Sequence, residues 1–297
     1  MAINKEIWIN DIQEGFWPND SFVTKSKNHS AFVEGSKVHV PVAGSAASIT
    51  KNPQSLPITV GGRTDTDLSY DIDKFYAAPV VLNQAEDVEL NYDKRSSVTG
   101  QSQAALREVV AADILHNWVP ATSPTTLATT GSNVNATIHG ATSTRKAITL
   151  ADIMSVKKLF DANDVPQNGR YILLDADMYN QLLGAMTDAA TLNFLAGADP
   201  ERGVLGKYLG FEFFMRSKVL KVDSSHALKT WAAASEAATD SAAGLAWQED
   251  CVSRAMGEVN AYISEKDPGY YGDVLSFNMR AGGSCINTKG VVLIYQG

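Results

Sequence analysis

The stretch VELNYDKRSSVTGQSQAALREVVAADILHNWVP, residues 88–120, begins as a polar segment with a Tyr-Asp-Lys-Arg cluster and then takes on a helical pattern. Its apolar residues recur at near-helical spacing, and most of its charged residues lie off that stripe. The stripe consists of Leu106, Val109, Val110, Leu115 and Trp118. Because the residue before a proline is driven out of the helical region, Pro120 ends the helix. The pattern predicts one amphipathic helix of about five turns.

Length and composition describe an ordinary globular chain. The 297 residues suffice for one large or two moderate domains, and 44% of them are hydrophobic and 20% charged. The net charge of -8 argues against a protein that grips nucleic acid by its phosphates, because such binding needs clustered Lys and Arg. Neither a membrane-spanning apolar run nor the apolar core of a signal peptide is present. These features predict a protein made and kept in a cytoplasm, with no membrane contact.

Motifs of enzymes and metal sites are missing from the sequence. Cys251 and Cys285 lie 34 residues apart with no CxxC spacing, so we interpret both as buried free thiols. The five histidines are scattered, and no HExxH, GxSxG, GxGxxG or GxxxxGK[ST] motif occurs. The sequence therefore predicts no metal and no cofactor.

Aromatic residues are concentrated near the N-terminus, in a segment without helical or strand periodicity. They are Trp8, Phe16, Trp17 and Phe22. Exposed aromatic side chains need a partner surface. This arm therefore either folds back on its own core or lies across a neighbouring subunit.

Two alternating stretches predict a long, two-stranded β loop. The first places Val38, Val40 and Val42 on one face, and the second is TDTDLSYDID, residues 64–73. Residues 43–63 between them are rich in Gly, Ser and Pro, as expected for a loop tip. The tip includes Lys51.

One face of the second stretch is acidic, with Asp65, Asp67, Asp71 and Asp73 at alternate positions. A calcium-binding loop would use such carboxylates, but it also needs Gly at its sixth position and Glu at its twelfth. Those positions hold Tyr70 and Tyr76. We interpret the face as a charged strand edge that meets solvent or a neighbour.

The second half of the chain reads as a mixed α and β unit. The Ser/Thr/Gly/Ala tract 121–146 is predicted to be an exposed loop and a boundary. Thr149 and Asp152 then form a capping box for a helix. GRYILLDADMYNQLL, from residue 169, predicts a buried strand followed by a helix, and GFEFFMRSKVL, from residue 210, predicts another strand. Gly282-Gly283 is predicted to be the turn of a closing hairpin.

Asp175 and Asp177 follow the buried strand, where mixed folds often place catalytic groups. The alternative is that one of them caps the helix that begins near Met178.

The order of these pieces resembles the major capsid proteins of tailed bacteriophages of the Hong Kong 97 type. The helical stretch 88–120 is similar to the approach to that family's spine helix. VPQNGRYILLDADMYNQLL, from residue 165, and GKYLGFEFFMRSKVL, from residue 206, resemble segments of its axial domain. The resemblance implies an α+β fold and five segments: an N-terminal arm at 1–36, an extended β loop at 37–78, a peripheral domain at 79–146, an axial domain at 147–246 and a return to the peripheral domain at 247–297.

The resemblance implies a shell of pentamers and hexamers around double-stranded DNA, bound without sequence specificity. It also implies a portal, a separate scaffolding protein and assembly in the cytoplasm of a host bacterium. A nanocompartment shell of the same fold, like an encapsulin, is an alternative, and a cytoplasmic enzyme using Asp175 or Asp177 is another. The candidate interface residues are Trp8, Phe16, Trp17, Lys51, Arg63, Asp65, Asp67, Asp71 and Asp73.

Overall fold

The computed structural model describes residues 22–44, 49, 51–52, 62–83, 94–122, 124–138, 141–199, 202–217, 219–229 and 238–297. Within these ranges the helices are α1 (Lys94–Trp118), α2 (Leu150–Ala162), α3 (Ala176–Gly184) and α4 (Asp188–Leu195). The strands are β1 (Lys27–Asn28), β2 (Val33–Glu34), β3 (Lys37–Val42), β4 (Thr66–Asp71), β5 (Asp73–Tyr76), β6 (Val80–Asn83), β7 (Thr126–Ala128), β8 (Asn133–Asn135), β9 (Thr144–Lys146), β10 (Arg170–Asp175), β11 (Gly206–Tyr208), β12 (Phe211–Arg216), β13 (Leu220–Val222), β14 (Leu228–Lys229), β15 (Ser241–Gln248), β16 (Val252–Asp267), β17 (Gly272–Cys285) and β18 (Val291–Tyr295).

The larger sheet is mixed and has the order β11-β12-β10-β15-β13-β14, with β18 beside β15 and β7 beside β18. β10 is a central strand that pairs with β12 on one side and β15 on the other, and it is buried along nearly its whole length because apolar clusters pack on both of its faces. Helices α2 and α3 cover one face, where Ile153, Val156 and Phe160 join the same apolar core as Ile172. The strand and helix predicted from residue 169 onward are thus confirmed.

Helix α2 begins with the predicted capping box. The Asp152 carboxylate accepts hydrogen bonds from Thr149 N at 2.8 Å and from Thr149 Oγ1 at 2.9 Å. It also accepts bonds from Thr130 Oγ1 at 2.7 Å and Thr130 N at 3.3 Å. This buried carboxylate therefore joins the helix start to the preceding segment, which the sequence pattern did not indicate.

The tract 121–146 is a correction to the sequence prediction of an exposed loop. It contains β7, which pairs in parallel with β18, and the small β8–β9 ladder. Thr129 and Ile138 are buried. Polar residues can form a strand when a strand from the far end of the chain supplies its hydrogen-bond partners. The composition of the tract gives no indication of such a partner.

The second sheet has the order β1-β16-β17-β5, with β6 also beside β17, and α1 lies across one face. Leu106, Val110, Leu115 and Trp118 are buried there. Val109 is 55% exposed, so its assignment to the apolar stripe was wrong. The helix ends before Pro120 as predicted, and its 25 residues exceed the predicted five turns.

The predicted turn at Gly282-Gly283 is also wrong, because β17 runs without interruption from Gly272 to Cys285. The β16–β17 connection instead lies between Asp267 and Gly272, where Tyr270 N and Tyr271 N donate to the Asp267 carbonyl. A Cβ at Gly283 would lie 3.0 Å from Ile114 Cγ2 and 3.1 Å from Trp118 Nε1. The glycine is needed here for the close approach of α1.

An aromatic cluster joins the two sheets. Trp118 at the end of α1 lies 5.3 Å, centroid to centroid, from Trp247 of β15, and Phe22 packs edge-on against both rings. Trp118 Nε1 donates to the Ser253 carbonyl at 2.8 Å, and Trp247 Nε1 donates to the Lys25 carbonyl at 2.8 Å. Both indole groups are therefore buried with their polar atoms satisfied.

Candidate assembly surfaces

The extended β loop is the feature that most clearly lacks a core of its own. Strands β3 and β4 pair antiparallel from Lys37 opposite Asp71 to Val42 opposite Thr66, which confirms the two-stranded prediction. Among the described residues of the loop, only those at its base are buried, where Val38 and Ile72 form a small cluster with Ala255. The outer part of the ladder is exposed or half-buried on both faces.

Three of the four predicted acids of this loop are paired with basic groups. Asp71 Oδ1 lies 3.5 Å from Lys37 Nζ, and Asp67 Oδ2 lies 2.6 Å from His39 Nδ1, each across the two strands. Asp65 Oδ1 accepts hydrogen bonds from Arg63 Nε at 2.6 Å and from Gly44 N at 2.8 Å. Exposed ion pairs contribute only about 0–1 kcal/mol each.

Lys37 and Arg63 thus place positive charges beside Asp71 and Asp65 on the loop. The hydrogen bonds from Arg63, and then from the Gly44 backbone N–H, lower the pKa of the Asp65 carboxyl. Asp65 therefore stays ionised and holds the chain where it leaves and re-enters the ladder. Lys51, further out, is exposed and stands beside Asn52, which has a φ of 53°.

Asp73 stands apart from the other three acids, since it lies in β5 beside β17 rather than in the β3–β4 ladder. Its charge adds to the effect of burial in raising the pKa of Asp113 on α1. The four acids predicted to share one face therefore lie in two places: three in the loop and Asp73 in the sheet under α1.

The aromatic arm reaches the described residues only at its end. Trp8, Phe16 and Trp17 lie outside the described residues, whereas Phe22 is buried in the cluster with Trp118 and Trp247. Arg254 Nη1 donates to the carbonyls of Val23 and Ser26, each at 2.8 Å. From Phe22 onward the chain therefore folds back on its own core.

Exposed tyrosines on the second sheet are surface residues that the sequence reasoning missed. Tyr76 is 68% exposed on β5 and Tyr262 is 55% exposed on β16, on the face opposite α1. Asn278 Nδ2 donates to Tyr262 Oη at 3.2 Å, and Tyr271 at the β16–β17 turn is 81% exposed. Period-2 alternation along β5 and β16 is the signal that would have indicated this face.

A cleft of about 720 Å³ lies at the C-terminal end of α1. One wall is the last turn of α1 and the residues after it, and the opposite wall is the turn between β13 and β14. His226 in that turn stacks on Tyr295, with 4.4 Å between ring centroids. Sequence analysis gave no sign of this cleft, because its walls are more than 100 residues apart.

Asp175 occupies the N-cap position of α3, and Asp177 lies in its first turn. No side-chain capping hydrogen bond is formed by Asp175. Burial raises the pKa of the Asp175 carboxyl to about 6. Among the described residues, no group of three or more His, Cys, Asp or Glu side chains could hold a metal ion.

Both cysteines are free thiols, as predicted. Cys251 is buried, whereas Cys285 is only half-buried, which corrects the prediction for the second thiol. Desolvation raises the pKa of Cys251 to about 11 and that of Cys285 to about 12. Neither is a ready nucleophile at neutral pH.

A family model described as phage capsid protein matches residues 26–296. The chain is similar to the capsid of cyanophage P-SCSP1u, with a TM-score of 0.63, 17% identity and coverage of 91% of this chain and 86% of that one. It is similar to the capsid of Ralstonia phage GP4, with a TM-score of 0.64, 12% identity and coverage of 95% and 90%.

A third structural likeness is to the virus-like particle from Pyrococcus furiosus, with a TM-score of 0.57, 8% identity and coverage of 98% of this chain and 99% of that one. A search of the curated proteins finds no match. Among the described helices, none combines the length and apolar character needed to span a membrane.

Proposed function

The chain belongs to the phage capsid protein family, and we propose that its copies assemble as pentamers and hexamers into the icosahedral head of a tailed phage. It is a major capsid protein with the Hong Kong 97-type α+β fold. In that head the chain encloses double-stranded DNA without reading its sequence. The acidic composition supports this, because a net charge of -8 keeps the shell from trapping DNA that must move during packaging.

The proposed domain boundaries follow the segments predicted from the sequence. Residues 1–36 form the N-terminal arm, 37–78 the extended β loop, 79–146 with 247–297 the peripheral domain and 147–246 the axial domain. The large sheet with α2 and α3 supports an axial unit, to which β7 and β18 from the two flanking segments also contribute strands, and α1 on the β16–β17 sheet supports a peripheral one. We propose that the arm and the loop make the contacts between subunits.

The observation that carries the proposal is the β3–β4 ladder. One face of its outer part carries exposed charged residues and the other carries Val40, Val42 and Leu68, which are only half-buried, so the ladder gains little burial from folding within one chain. A neighbouring copy would supply the missing partner surface, and a closed symmetric assembly repeats the same contact for every copy. The candidate contact residues Lys51, Arg63, Asp65, Asp67, Asp71 and Asp73, together with Trp8, Phe16 and Trp17, belong to this proposal.

A portal and a separate scaffolding protein are the partners proposed for assembly, which takes place in the cytoplasm of the host bacterium. We propose no catalytic role, since Asp175 stands at a helix start and the family is a structural one. A nanocompartment shell is the second candidate. It is favoured by the likeness to the Pyrococcus furiosus virus-like particle.

Negative-stain electron microscopy of the purified chain tests the proposal. Closed shells, capsomer rings or tubes are expected, and a monodisperse monomer with and without co-expressed scaffolding protein would refute it. Nuclease-protected DNA inside particles from infected cells separates the phage head from a nanocompartment, which would hold protein cargo instead. Deletion of residues 1–20 is expected to leave a soluble, folded chain that assembles poorly. Circular dichroism and light scattering measure these two properties separately.

A further inference from the structure

The cleft at the end of α1 is lined by a mixture of apolar and uncharged polar residues. The apolar lining residues are Val119, Pro120, Ala121, Pro124, Ala227 and Leu228. Among the described residues that line it there is no Lys, Arg, Asp or Glu. Its volume of about 720 Å³ falls in the range of roughly 300–1,000 Å³ typical of binding pockets. The lining suits apolar and aromatic groups.

The walls of the cleft are held in place before anything binds. Asp223 Oδ1 accepts hydrogen bonds from Ser225 N at 2.8 Å and Ala227 N at 3.0 Å, which fixes the β13–β14 turn. His226 has a φ of 61° and stacks on Tyr295. The opposite wall is the end of a 25-residue helix packed in the core. Because the cleft is preformed, its own residues lose little conformational entropy when a ligand binds.

The helix end also provides hydrogen-bond acceptors. The carbonyls in the last turn of a helix lack partners within that helix. The Val119 N–H donates to one of them, the His116 carbonyl, at 3.2 Å. A ligand that is apolar and carries an N–H donor therefore fits this end of the cleft, and the indole of tryptophan has both properties.

Such side chains stand in the residues that precede Phe22. Residues 1–21 contain Trp8, Phe16 and Trp17. The segment leaves the described chain at Phe22, whose ring packs 5.9 Å from Trp118, the neighbour of the cleft residue Val119. When extended, 21 residues can span up to about 70 Å, which is far enough to reach an adjacent copy in a shell.

We propose that in the assembled shell this cleft receives the aromatic N-terminal segment, residues 1–21, of an adjacent copy of the chain. The proposal rests on the function given above, since it needs the shell to place two copies side by side. Each chain has one segment and one cleft, so every subunit can both donate and receive.

A disulfide test uses Cys285, a natural residue of the cleft lining. Gln13→Cys introduces a thiol into the segment between Trp8 and Phe16 without removing an aromatic ring. Assembled particles are treated with copper phenanthroline and air, because the raised pKa of Cys285 slows spontaneous oxidation. The two thiols then lose two protons and two electrons to dioxygen and form one disulfide.

The expected result is a ladder of covalent multimers on a non-reducing gel, which disappears in the Gln13→Cys/Cys285→Ser control and persists in Gln13→Cys/Cys251→Ser. Adding Ala227→Glu, at an exposed position of the cleft, is expected to reduce the ladder about tenfold or more. A buried, unpaired carboxylate costs more than the ~1.4 kcal/mol that corresponds to a factor of ten. Ala104→Glu, exposed on α1 away from the cleft, is the matched control and leaves the ladder intact.

Shells that form without multimers overturn the cleft inference and leave the capsid function standing. An oxidised band of monomer size alone also overturns it, because the segment would then bind within its own chain. If the wild-type chain forms no shells, capsomer rings or tubes, the proposed function itself fails. Micrographs of the same preparations distinguish these cases.

Discussion

The assignment of the buried face of α1 can be tested with two adjacent valines. Val110 of α1 is 1% exposed and lies in the apolar core between this helix and the sheets, whereas Val109 is 55% exposed. The substitutions Val110→Ala and Val109→Ala remove the same atoms and change helix propensity equally. Any difference between the two variants therefore measures burial alone.

The expected magnitude follows from the two methyl groups removed. Burial of each methyl-sized group contributes about 0.8 kcal/mol, and a residual cavity adds to the loss. Val110→Ala is therefore expected to lower the free energy of unfolding by about 1–3 kcal/mol. At Val109 the better helix propensity of alanine is expected to leave stability unchanged or raise it by a few tenths of a kcal/mol. Leu106→Ala, on the buried stripe, is expected to cost about 2–5 kcal/mol.

The measurement is urea unfolding of the unassembled chain, followed by tryptophan fluorescence and circular dichroism. Working below the assembly concentration matters, because a neighbour in a shell could cover Val109. If both valine substitutions, or neither of them, destabilise the chain, α1 does not bury the face that carries Val110.

Three further predictions concern single positions. Gly283→Ala is expected to destabilise the chain, because the added Cβ would crowd Ile114 and Trp118. Gly100→Ala, where nothing lies within 4 Å of the added Cβ, is expected to be neutral or stabilising by up to about 1 kcal/mol. Thermal unfolding that ranks the two variants in the opposite order would contradict the packing of α1 on β17. Asp152→Ala is expected to cost about 2–3 kcal/mol, measured by urea unfolding against Lys157→Ala, since it removes the acceptor of the capping box. The pKa of Asp175 is raised to about 6 in the folded chain, so its protonated carboxyl favours folding at low pH and this contribution is lost as pH rises from about 4 to 6. Asp175→Asn is therefore expected to raise the free energy of unfolding at pH 7 relative to wild type and to flatten its dependence on pH. An unchanged pH profile of stability would refute the assignment.

Local patterns predicted several elements correctly because their causes are local. Pro120 ends α1 through its effect on the residue before it, and Thr149 with Asp152 starts α2 through bonds within one turn. The alternating residues of β3 and β4 pair across one loop. The order of these pieces was enough for the resemblance to capsid proteins, and the family match confirms it.

The errors arose where distant residues supply the partner. Gly282-Gly283 has the composition of a turn, yet it lies within β17 because α1 packs against it. The tract 121–146 has the composition of a loop, yet β18, near the other end of the chain, gives β7 its hydrogen bonds. Val109 fits the helical spacing, but the edge of a stripe is set by the width of the surface it packs on.

The sequence by itself determined where α1 ends, where α2 begins and that β3 and β4 are strands, since proline geometry, capping and side-chain alternation act within a few residues. It also determined that the chain is acidic and has no motif of an enzyme. Only the tertiary structure decided which groups meet: Phe22 with Trp118 and Trp247, Asp65 with Gly44, and the end of α1 with the β13–β14 turn. Such contacts depend on packing between segments far apart in the chain, and a pattern read along one segment carries no information about the segment that packs against it.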